Sequence, residues 1–188
     1  MGPARPGLVR NAVGSLAVLA IVAFIAFGLP LLDRSLPANR AVAGDTPFDV
    51  GAGVALLPPP DASLDLTRTR PNDERGTALF VVGAVRLSVV VLPFRGDVLE
   101  AAQRLRRKIT NTAGYQVTGG ERGLTTATGL AGRRGTYNSP GRLGEYGVLV
   151  HDGVVVEVTA SGPEDQLRAF ADSLDRSLRS ITMGGSRP

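Results

Sequence analysis

The sequence predicts an α+β protein, in which a mostly antiparallel sheet is flanked by two helices and preceded by one N-terminal transmembrane helix. Three observations predict this fold class. A long uncharged apolar stretch lies near the amino terminus. Short valine-rich segments, separated by Gly, Pro and Asp-Gly turn signals, indicate neighbouring strands with short connections. Two further segments repeat apolar residues at helical spacing, so helices are expected to pack on the sheet.

The apolar stretch is residues 12–32, which contain 21 residues and no charge. A helix of this length spans about 30 Å, the thickness of the hydrocarbon core of a bilayer. Ala41-Val42-Ala43 has the form of a signal-peptidase site. However, it lies beyond three charged residues, and the apolar run is longer than that of a usual signal peptide. A retained signal anchor is therefore favoured over cleavage after Ala43.

The charges around this segment give only a slight orientation signal. Arg5 and Arg10 precede the segment, while Arg34 and Arg40 follow it, so the positive-inside bias is small. A short tail before a large domain favours a single pass through the cell membrane with the C-terminal domain extracytoplasmic. A reversed topology, with the domain in the cytoplasm, is the open alternative.

Five parts follow from this division of the chain. They are a short N-terminal tail at 1–11, the transmembrane signal anchor at 12–32, a tether at 33–47, an α+β soluble domain at 48–182 and a flexible tail at 183–188.

Composition excludes several classes of function. The chain has no cysteine, so disulfides, thiol nucleophiles and thiolate metal sites are ruled out. The net charge is +4, of which residues 1–43 carry +3, leaving the rest of the chain close to neutral. A near-neutral domain with dispersed aromatic residues is not expected to bind nucleic acid.

The strands are predicted from β-forming residues bounded by turn signals. The first begins at Phe48 and stops at Leu57, before Pro58-Pro59-Pro60. The others lie at 77–82, 85–92, 115–118, 124–128, 130–137 and in a hairpin at 146–160.

The first helix is predicted at Asp97 to Ile109. Asp97 can cap its amino terminus, with Glu100 three residues later as in a capping box. Glu100 and Arg104 are spaced as an i,i+4 ion pair. The apolar stripe consists of Val98, Ala101, Ala102, Leu105 and Ile109.

The second helix is predicted near the end of the chain. Ser161 has the place of its cap and Glu164 the third helical position. Its buried stripe is Leu167, Phe170, Leu174 and Leu178.

His151 is the single histidine of the chain and the obvious candidate for a catalytic base. Asp152-Gly153 fits a two-residue type I′ turn, which pairs His151 with Val154 and Leu149 with Val156. A catalytic histidine needs a nucleophile and an orienting carboxylate, and Asp152 is committed to the turn. We therefore expect a structural or surface histidine beside a turn.

No cofactor or metal site is expected. One histidine and scattered carboxylates give no ligand spacing, and no phosphate-loop string is present. Two sets of glycines recur every third residue and are attributed to turns and strand edges: Gly129, Gly132 and Gly135, then Gly141, Gly144 and Gly147.

The basic cluster of the first helix is the candidate contact site. Its members are Arg104, Arg106, Arg107 and Lys108. Helical spacing places Arg104, Arg107 and Lys108 on the solvent side, where they can contact anionic lipid or an acidic partner. The alternative is a solvated helix face with cations suited to a helix C-terminus.

The order of these elements resembles the PsbP-like sandwich. The resemblance rests on an early strand ending in "LLPPP", two valine-rich strands, an amphipathic helix after "PFRGD", an "HDG" hairpin and a terminal helix. Secreted mycobacterial lipoproteins of the LpqN kind use this fold, as do several actinobacterial membrane-anchored proteins of unknown function. Twenty arginines against one lysine fit a GC-rich bacterial genome. The resemblance implies a non-catalytic accessory or binding domain in the cell envelope. A lipobox cysteine is missing, so attachment by a helix is expected instead.

We therefore expect a membrane-tethered extracytoplasmic binding or accessory module of envelope assembly or secretion, without catalysis. Its expected partners are the membrane and an envelope protein or anionic lipid. The alternative is a hydrolase acting on envelope lipid or glycan through dispersed carboxylates such as Asp97, Glu145 or Glu157.

Overall fold

The computed structural model describes residues 39–184. In chain order the strands are β1 (Asn39–Ala41), β2 (Phe48–Gly51), β3 (Val54–Leu56), β4 (Ser63–Asp65), β5 (Arg70–Pro71), β6 (Gly76–Val82), β7 (Val85–Pro93), β8 (Gln116–Thr125), β9 (Ala131–Ser139), β10 (Arg142–His151), β11 (Val154–Gly162) and β12 (Thr182–Met183). The helices are α1 (Val98–Thr110), between β7 and β8, and α2 (Glu164–Ala169) and α3 (Ala171–Arg179), between β11 and β12.

Nine strands form the main sheet, in the order β1-β4-β6-β7-β11-β10-β9-β8, with β5 added beside β6. A second sheet has the order β12-β3-β2. Every pairing between described strands is antiparallel, which confirms the expected sheet. The central strands β7 and β11 are paired although they are about 70 residues apart in the chain. This long-range pairing joins the two halves of the main sheet.

Helices lie on both faces of the main sheet. On one face α1 packs through Ala101, Leu105 and Ile109 against Tyr146, Val155 and their neighbours. On the other face α2, α3 and the small sheet share a larger core with the inward valines of β7. The α+β class is confirmed, with three helices rather than two.

The hairpin of β10 and β11 confirms the predicted register. His151 pairs with Val154 and Leu149 with Val156. Asp152 and Gly153 have φ angles of 47° and 76°, as a type I′ turn requires. Because successive side chains of a strand point to opposite faces, this register determines which side chains of β10 and β11 face α1 and which face α2 and α3.

The prediction of one continuous strand at residues 48–57 is wrong. Residues 48–57 fold into the β2–β3 hairpin, because Gly51, Ala52 and Gly53 take φ angles of 115°, 52° and 71° and reverse the chain. The left-handed region is open to glycine without steric cost, so the two glycines permit this turn.

The prediction of a single helix near the end of the chain is also wrong. Strand β11 continues to Gly162, so Ser161 is a strand residue, and Pro163 precedes α2 without a side-chain cap. The helix is interrupted at Phe170, which gives α2 and α3. The predicted buried stripe is nevertheless observed: Leu167, Leu174 and Leu178 are buried, and Phe170 is partly buried against the same core.

Two further boundaries differ from the expectation. The strands predicted at 115–118 and 124–128 are one strand, β8, whose pairing is irregular between Thr118 and Arg122. Residues 39–41, which the sequence places in the tether, form β1 and pair with β4. A three-residue edge strand has too little pattern to be recognised from sequence.

Four of the periodic glycines lie inside strands rather than at turns. Gly135 pairs with Tyr146, and Gly144 pairs with Tyr137. A Cβ at Gly144 would approach the Tyr137 ring to 2.1 Å, and one at Gly135 would approach the Tyr146 hydroxyl to 2.5 Å. Each tyrosine ring therefore covers the glycine on the opposite strand, the arrangement known as aromatic rescue. The expectation of turns and strand edges holds for Gly129 and Gly141, which have positive φ.

The predicted anchor at 12–32 and residues 33–38 of the tether lie outside the described residues, as do residues 185–188. Between residues 39 and 184, no helix is long and apolar enough to cross a membrane.

Candidate functional site

Two members of the basic cluster contact a buried carboxylate of the sheet. Glu157, on β11, is only 5% exposed. Arg104 Nη2 lies 2.9 Å from Glu157 Oε1, and Lys108 Nζ lies 2.7 Å from Oε2. Both side chains remain partly in solvent, at 33% and 49% exposure, but their charged ends bind the desolvated anion that the sheet offers beneath α1.

Arg104 is further held by the aromatic ring of Phe94, whose centroid lies 4.7 Å from the guanidinium carbon. Its Nε is buried without a hydrogen-bond partner. The expected Glu100–Arg104 pair is not among the ion pairs of residues 39–184, since Arg104 is turned towards Glu157. The backbone N–H of Glu100 instead donates to Asp97, which confirms Asp97 as the cap of α1.

The other two members of the basic cluster differ from each other. Arg106 lies 3.9 Å from Glu121 on β8. The Tyr146 hydroxyl donates to the same carboxylate over 3.0 Å. Burial, followed by the bond to Glu121, raises the pKa of Tyr146 to about 12. Arg107 is exposed and makes no ion pair with any residue from 39 to 184. The four basic side chains therefore do not form one uniform patch.

A cleft of about 390 Å³ opens beyond the C-terminal end of α1, on the same face of the sheet. Its floor comes from alternate residues of three adjacent strands, because every second side chain points to this face. Ser88 of β7 pairs with Leu79 of β6 on one side and with Thr159 of β11 on the other. Arg86 and Ser161 form the next pair along the same two strands.

Three cations and no carboxylate line this cleft. Arg68 comes from the loop after β4, Arg86 from β7 and Lys108 from α1. Neither Arg68 nor Arg86 forms an ion pair or a side-chain hydrogen bond within the described chain. Lys108 is shared with Glu157, whose charge is also balanced by Arg104. The cleft therefore has two cationic side chains free to meet a ligand.

One wall of the cleft is aromatic. The rings of Tyr115 and Tyr137 are stacked with centroids 5.9 Å apart. Burial raises the pKa of the Tyr137 hydroxyl, although a hydrogen bond with Ser161 opposes the shift. Tyr137 donates to the carbonyl of Ala160 over 3.3 Å. The Tyr137 hydroxyl is therefore a buried neutral group at this wall.

The three candidate catalytic carboxylates are not brought together. Asp97 caps α1. Glu145 is bound by Arg134 at 3.0 Å and lies on the face of α2 and α3, opposite to Glu157. The expected proximity of Glu145 and Glu157 is wrong, because Glu157 pairs with Val148 and strand alternation directs the two side chains to opposite faces.

His151 is beside the turn, with Nε2 3.4 Å from the Asp152 carboxylate. The His151 side chain is 42% exposed and that of Asp152 is 69% exposed. In residues 39–184 no group of three or more His, Asp or Glu side chains is placed to hold a metal ion.

The antiparallel sheet, with α1 on one face and α2 and α3 on the other, defines a PsbP-like α+β sandwich. Two solved structures share it. The cyanobacterial PsbP of Synechocystis sp. PCC 6803, CyanoP, matches with a TM-score of 0.52 and 13% identity, over 79% of this chain and 94% of CyanoP. LpqN of Mycobacterium tuberculosis, involved in cell envelope biogenesis, matches with a TM-score of 0.51 and 18% identity, over 73% of this chain and 88% of LpqN.

At these identities the likeness concerns the fold alone, and it confirms the PsbP-like fold expected from the sequence. No protein-family model matches the chain, and no curated protein sequence matches it.

Sequence reasoning missed the cleft, although part of its signal is present. Arg86 and Ser88 alternate with buried valines and leucine in β7, and Thr159 and Ser161 alternate in β11. Polar residues at every second position mark an uncovered sheet face. Nothing local to Arg68 indicates that its loop reaches this face.

Proposed function

We propose that the chain is a membrane-tethered, extracytoplasmic accessory module of the cell envelope that binds its ligand in the cleft beyond α1 and catalyses no reaction. The observation that carries this proposal is the cleft itself, where two arginines without an ion pair to residues 39–184 and several hydroxyl groups of the sheet line an opening to solvent. Concave sites with a few convergent polar groups are the usual form of small-ligand sites.

The cell-envelope setting is supported by two independent features. Residues 12–32 have the length and composition of a membrane anchor. The PsbP-like fold is shared with LpqN, a protein involved in cell envelope biogenesis. Fold likeness is an analogy for function, so the site carries the proposal and the fold supports it.

The absence of catalysis is supported by the placement of the carboxylates. Hydrolysis by two carboxylates needs both groups on one substrate, within about 10 Å of each other. Asp97 is occupied by a helix cap, and Glu145 and Glu157 face opposite sides of the sheet. Each of the two glutamates is also engaged in an ion pair with arginine or lysine, so neither is free to approach a substrate.

Only two of the four residues in the basic cluster of α1 are available to bind a partner in this proposal. Arg106 and Arg107 are exposed, although Arg106 lies beside Glu121. They are the members that would contact anionic lipid headgroups or an acidic envelope partner. Arg104 and Lys108 hold α1 to the sheet through Glu157.

The placement is tested with a C-terminal tag on the full chain in intact spheroplasts. We expect added protease to remove the tag without lysis, because the domain is outside the membrane. A tag that is digested only after lysis would place the domain in the cytoplasm and contradict the proposal. A cytoplasmic protein with the same tag serves as the lysis control.

A further inference from the structure

We infer that the cleft beyond α1 is a site for a phosphate ester, either a soluble one or the headgroup of an anionic lipid. This inference rests on the proposed binding function and names its ligand class. It begins from the charge of the lining, which includes Arg68, Arg86 and Lys108 and no aspartate or glutamate.

The two arginines are suited to an oxyanion because neither is held in an ion pair with a residue from 39 to 184. Several other arginines of the described chain form ion pairs with carboxylates. Arg134, for example, binds both Glu145 and Asp175. In residues 39–184 neither Arg68 nor Arg86 forms such an ion pair; Arg68 has an acidic neighbour in Asp65, whose pKa its charge helps to lower. Arginine binds phosphate oxygens through paired N–H donors, which makes these two side chains a natural clamp.

Hydroxyl groups on the floor supply further donors. Ser88 and Thr159 are directly opposite each other on neighbouring strands, and both are partly exposed. Neither hydroxyl has a side-chain hydrogen bond to the described residues. A bound phosphoryl oxygen between the two strands can therefore accept from both hydroxyls while the arginines bind the outer oxygens.

The end of α1 does not oppose an anion as strongly as a bare helix C-terminus would. Its last carbonyls have negative partial charge, which repels anions. The Thr112 hydroxyl donates to the Lys108 carbonyl over 3.1 Å, and the Thr110 hydroxyl donates to the Arg106 carbonyl over 3.0 Å. The ammonium of Lys108 lies at the same end of the helix, so the local charge facing the cleft is positive.

The remaining space fits a small polar body attached to the phosphate. A cleft of about 390 Å³ falls in the range of sites for small ligands. The partly exposed ring of Tyr115, stacked on the buried Tyr137, gives it an aromatic wall against which a glycerol or sugar can lie. We therefore choose glycerol phosphate as the probe, since it is both a free ester and part of lipid headgroups.

The experiment is calorimetric titration of glycerol phosphate into the full chain in phosphatidylcholine nanodiscs, with glycerol as the uncharged control. We expect saturable binding that weakens with added salt, and no binding of glycerol. The double substitution Arg68→Gln and Arg86→Gln should weaken binding by roughly tenfold or more, because two charge-assisted contacts are lost. Ser88→Ala should weaken it by a smaller factor.

The matched control is Arg122→Gln with Arg176→Gln, which removes the same charge from exposed positions outside the cleft. We expect this pair to bind like the native chain. Equal weakening in both pairs, or no saturable binding by the native chain, would overturn the inference. Circular dichroism of each variant checks that it is folded.

A second set of discs contains phosphatidylglycerol. If a lipid headgroup occupies the cleft, it competes and the free ester binds more weakly in these discs. If the ester is soluble, its affinity in the two lipids is the same apart from charge screening, which the control pair reports. The tag digestion described above does not depend on ligand. It therefore tests the extracytoplasmic placement separately from the binding of a phosphate ester.

Discussion

Glu157 is the residue that couples the helix α1 to the sheet. A carboxylate that is 5% exposed is stable there only because Arg104 and Lys108 neutralise it. This pairing also limits what the basic cluster can do, since the cations bound to Glu157 have less charge to offer a ligand. Arg68 and Arg86 are consequently the principal free cations at the cleft.

Replacing Glu157 by Gln is expected to reduce the free energy of unfolding by about 2 kcal/mol. The variant leaves two cations without their anion, but Arg104 and Lys108 are 33% and 49% exposed, so water compensates in part. Urea denaturation of the full chain in detergent micelles measures the change. The control is Glu164→Gln, whose exposed pair with Arg168 should contribute less than about 0.5 kcal/mol. Equal losses in the two variants would show that the buried triad is not stabilising.

Gly144 is a second residue whose role is set by one neighbour. Gly144→Ala should destabilise the domain by about 1–3 kcal/mol, because the new Cβ meets the Tyr137 ring and the core must shift. Gly123→Ala is the control, since a Cβ at Gly123 meets nothing within 4 Å on β8. Thermal unfolding of the two variants should therefore differ clearly. Similar melting temperatures would contradict the glycine–tyrosine packing.

Among the elements, α3 is fixed to the sheet by a charged contact as well as by its leucines. Asp175 accepts from Arg134 of β9 at 2.5 Å and from Arg179 at 2.6 Å. Burial acts to raise the pKa of Asp175, but the hydrogen bonds from Arg179 and Arg134 outweigh it and hold the pKa below its ordinary value of 3.8.

This contact predicts a pH dependence of stability. A carboxyl whose pKa is lowered by folding stabilises the protein above its unfolded-state pKa, and the contribution is lost as pH falls through the folded-state value. Asp175→Asn should cost about 1 kcal/mol at neutral pH, discounted because the side chain is one-third exposed. The difference from the native chain should vanish in acid, at pH values below 3.8.

The measurement is the free energy of unfolding of both proteins over a pH series. Asp172→Asn, an exposed change in the first turn of the same helix, is the control and should change stability by only a few tenths of a kcal/mol. A difference for Asp175→Asn that persisted unchanged into acid would contradict the assigned contact.

Local pattern was sufficient to predict the elements whose signal lies within a few residues. The capped helix α1 and the Asp-Gly hairpin are examples, because Asp97 and Asp152-Gly153 determine their own geometry. The break at Phe170 and the continuation of β11 through Ser161 could not be predicted, since helix-cap and strand signals overlap there. Tertiary contacts decide between such overlapping local preferences.

At the scale of the whole molecule, the cleft could not be predicted because its residues are dispersed along the chain. Arg68, Arg86, Lys108 and Thr159 come together only when β7 pairs with β11 and α1 covers part of that face. The PsbP-like class, in contrast, could be predicted from element order, because order constrains which layers can form. The proposed binding function depends on the part of the sheet that α1 does not cover.

The central claim is that this uncovered face is an open binding site outside the membrane. The native chain has no cysteine, so a single introduced thiol is the only one in the protein. In Ser88→Cys the thiol lies on the cleft floor, whereas in the control Val89→Cys it points into the core, where Val89 has 0% exposure.

The decisive measurement is labelling of these variants in intact spheroplasts with a membrane-impermeant maleimide. We expect rapid labelling of Ser88→Cys without lysis, and labelling of Val89→Cys only after denaturation. Labelling of Ser88→Cys only after the membrane is permeabilised would contradict the extracytoplasmic placement. Labelling of it only after denaturation would contradict the open cleft.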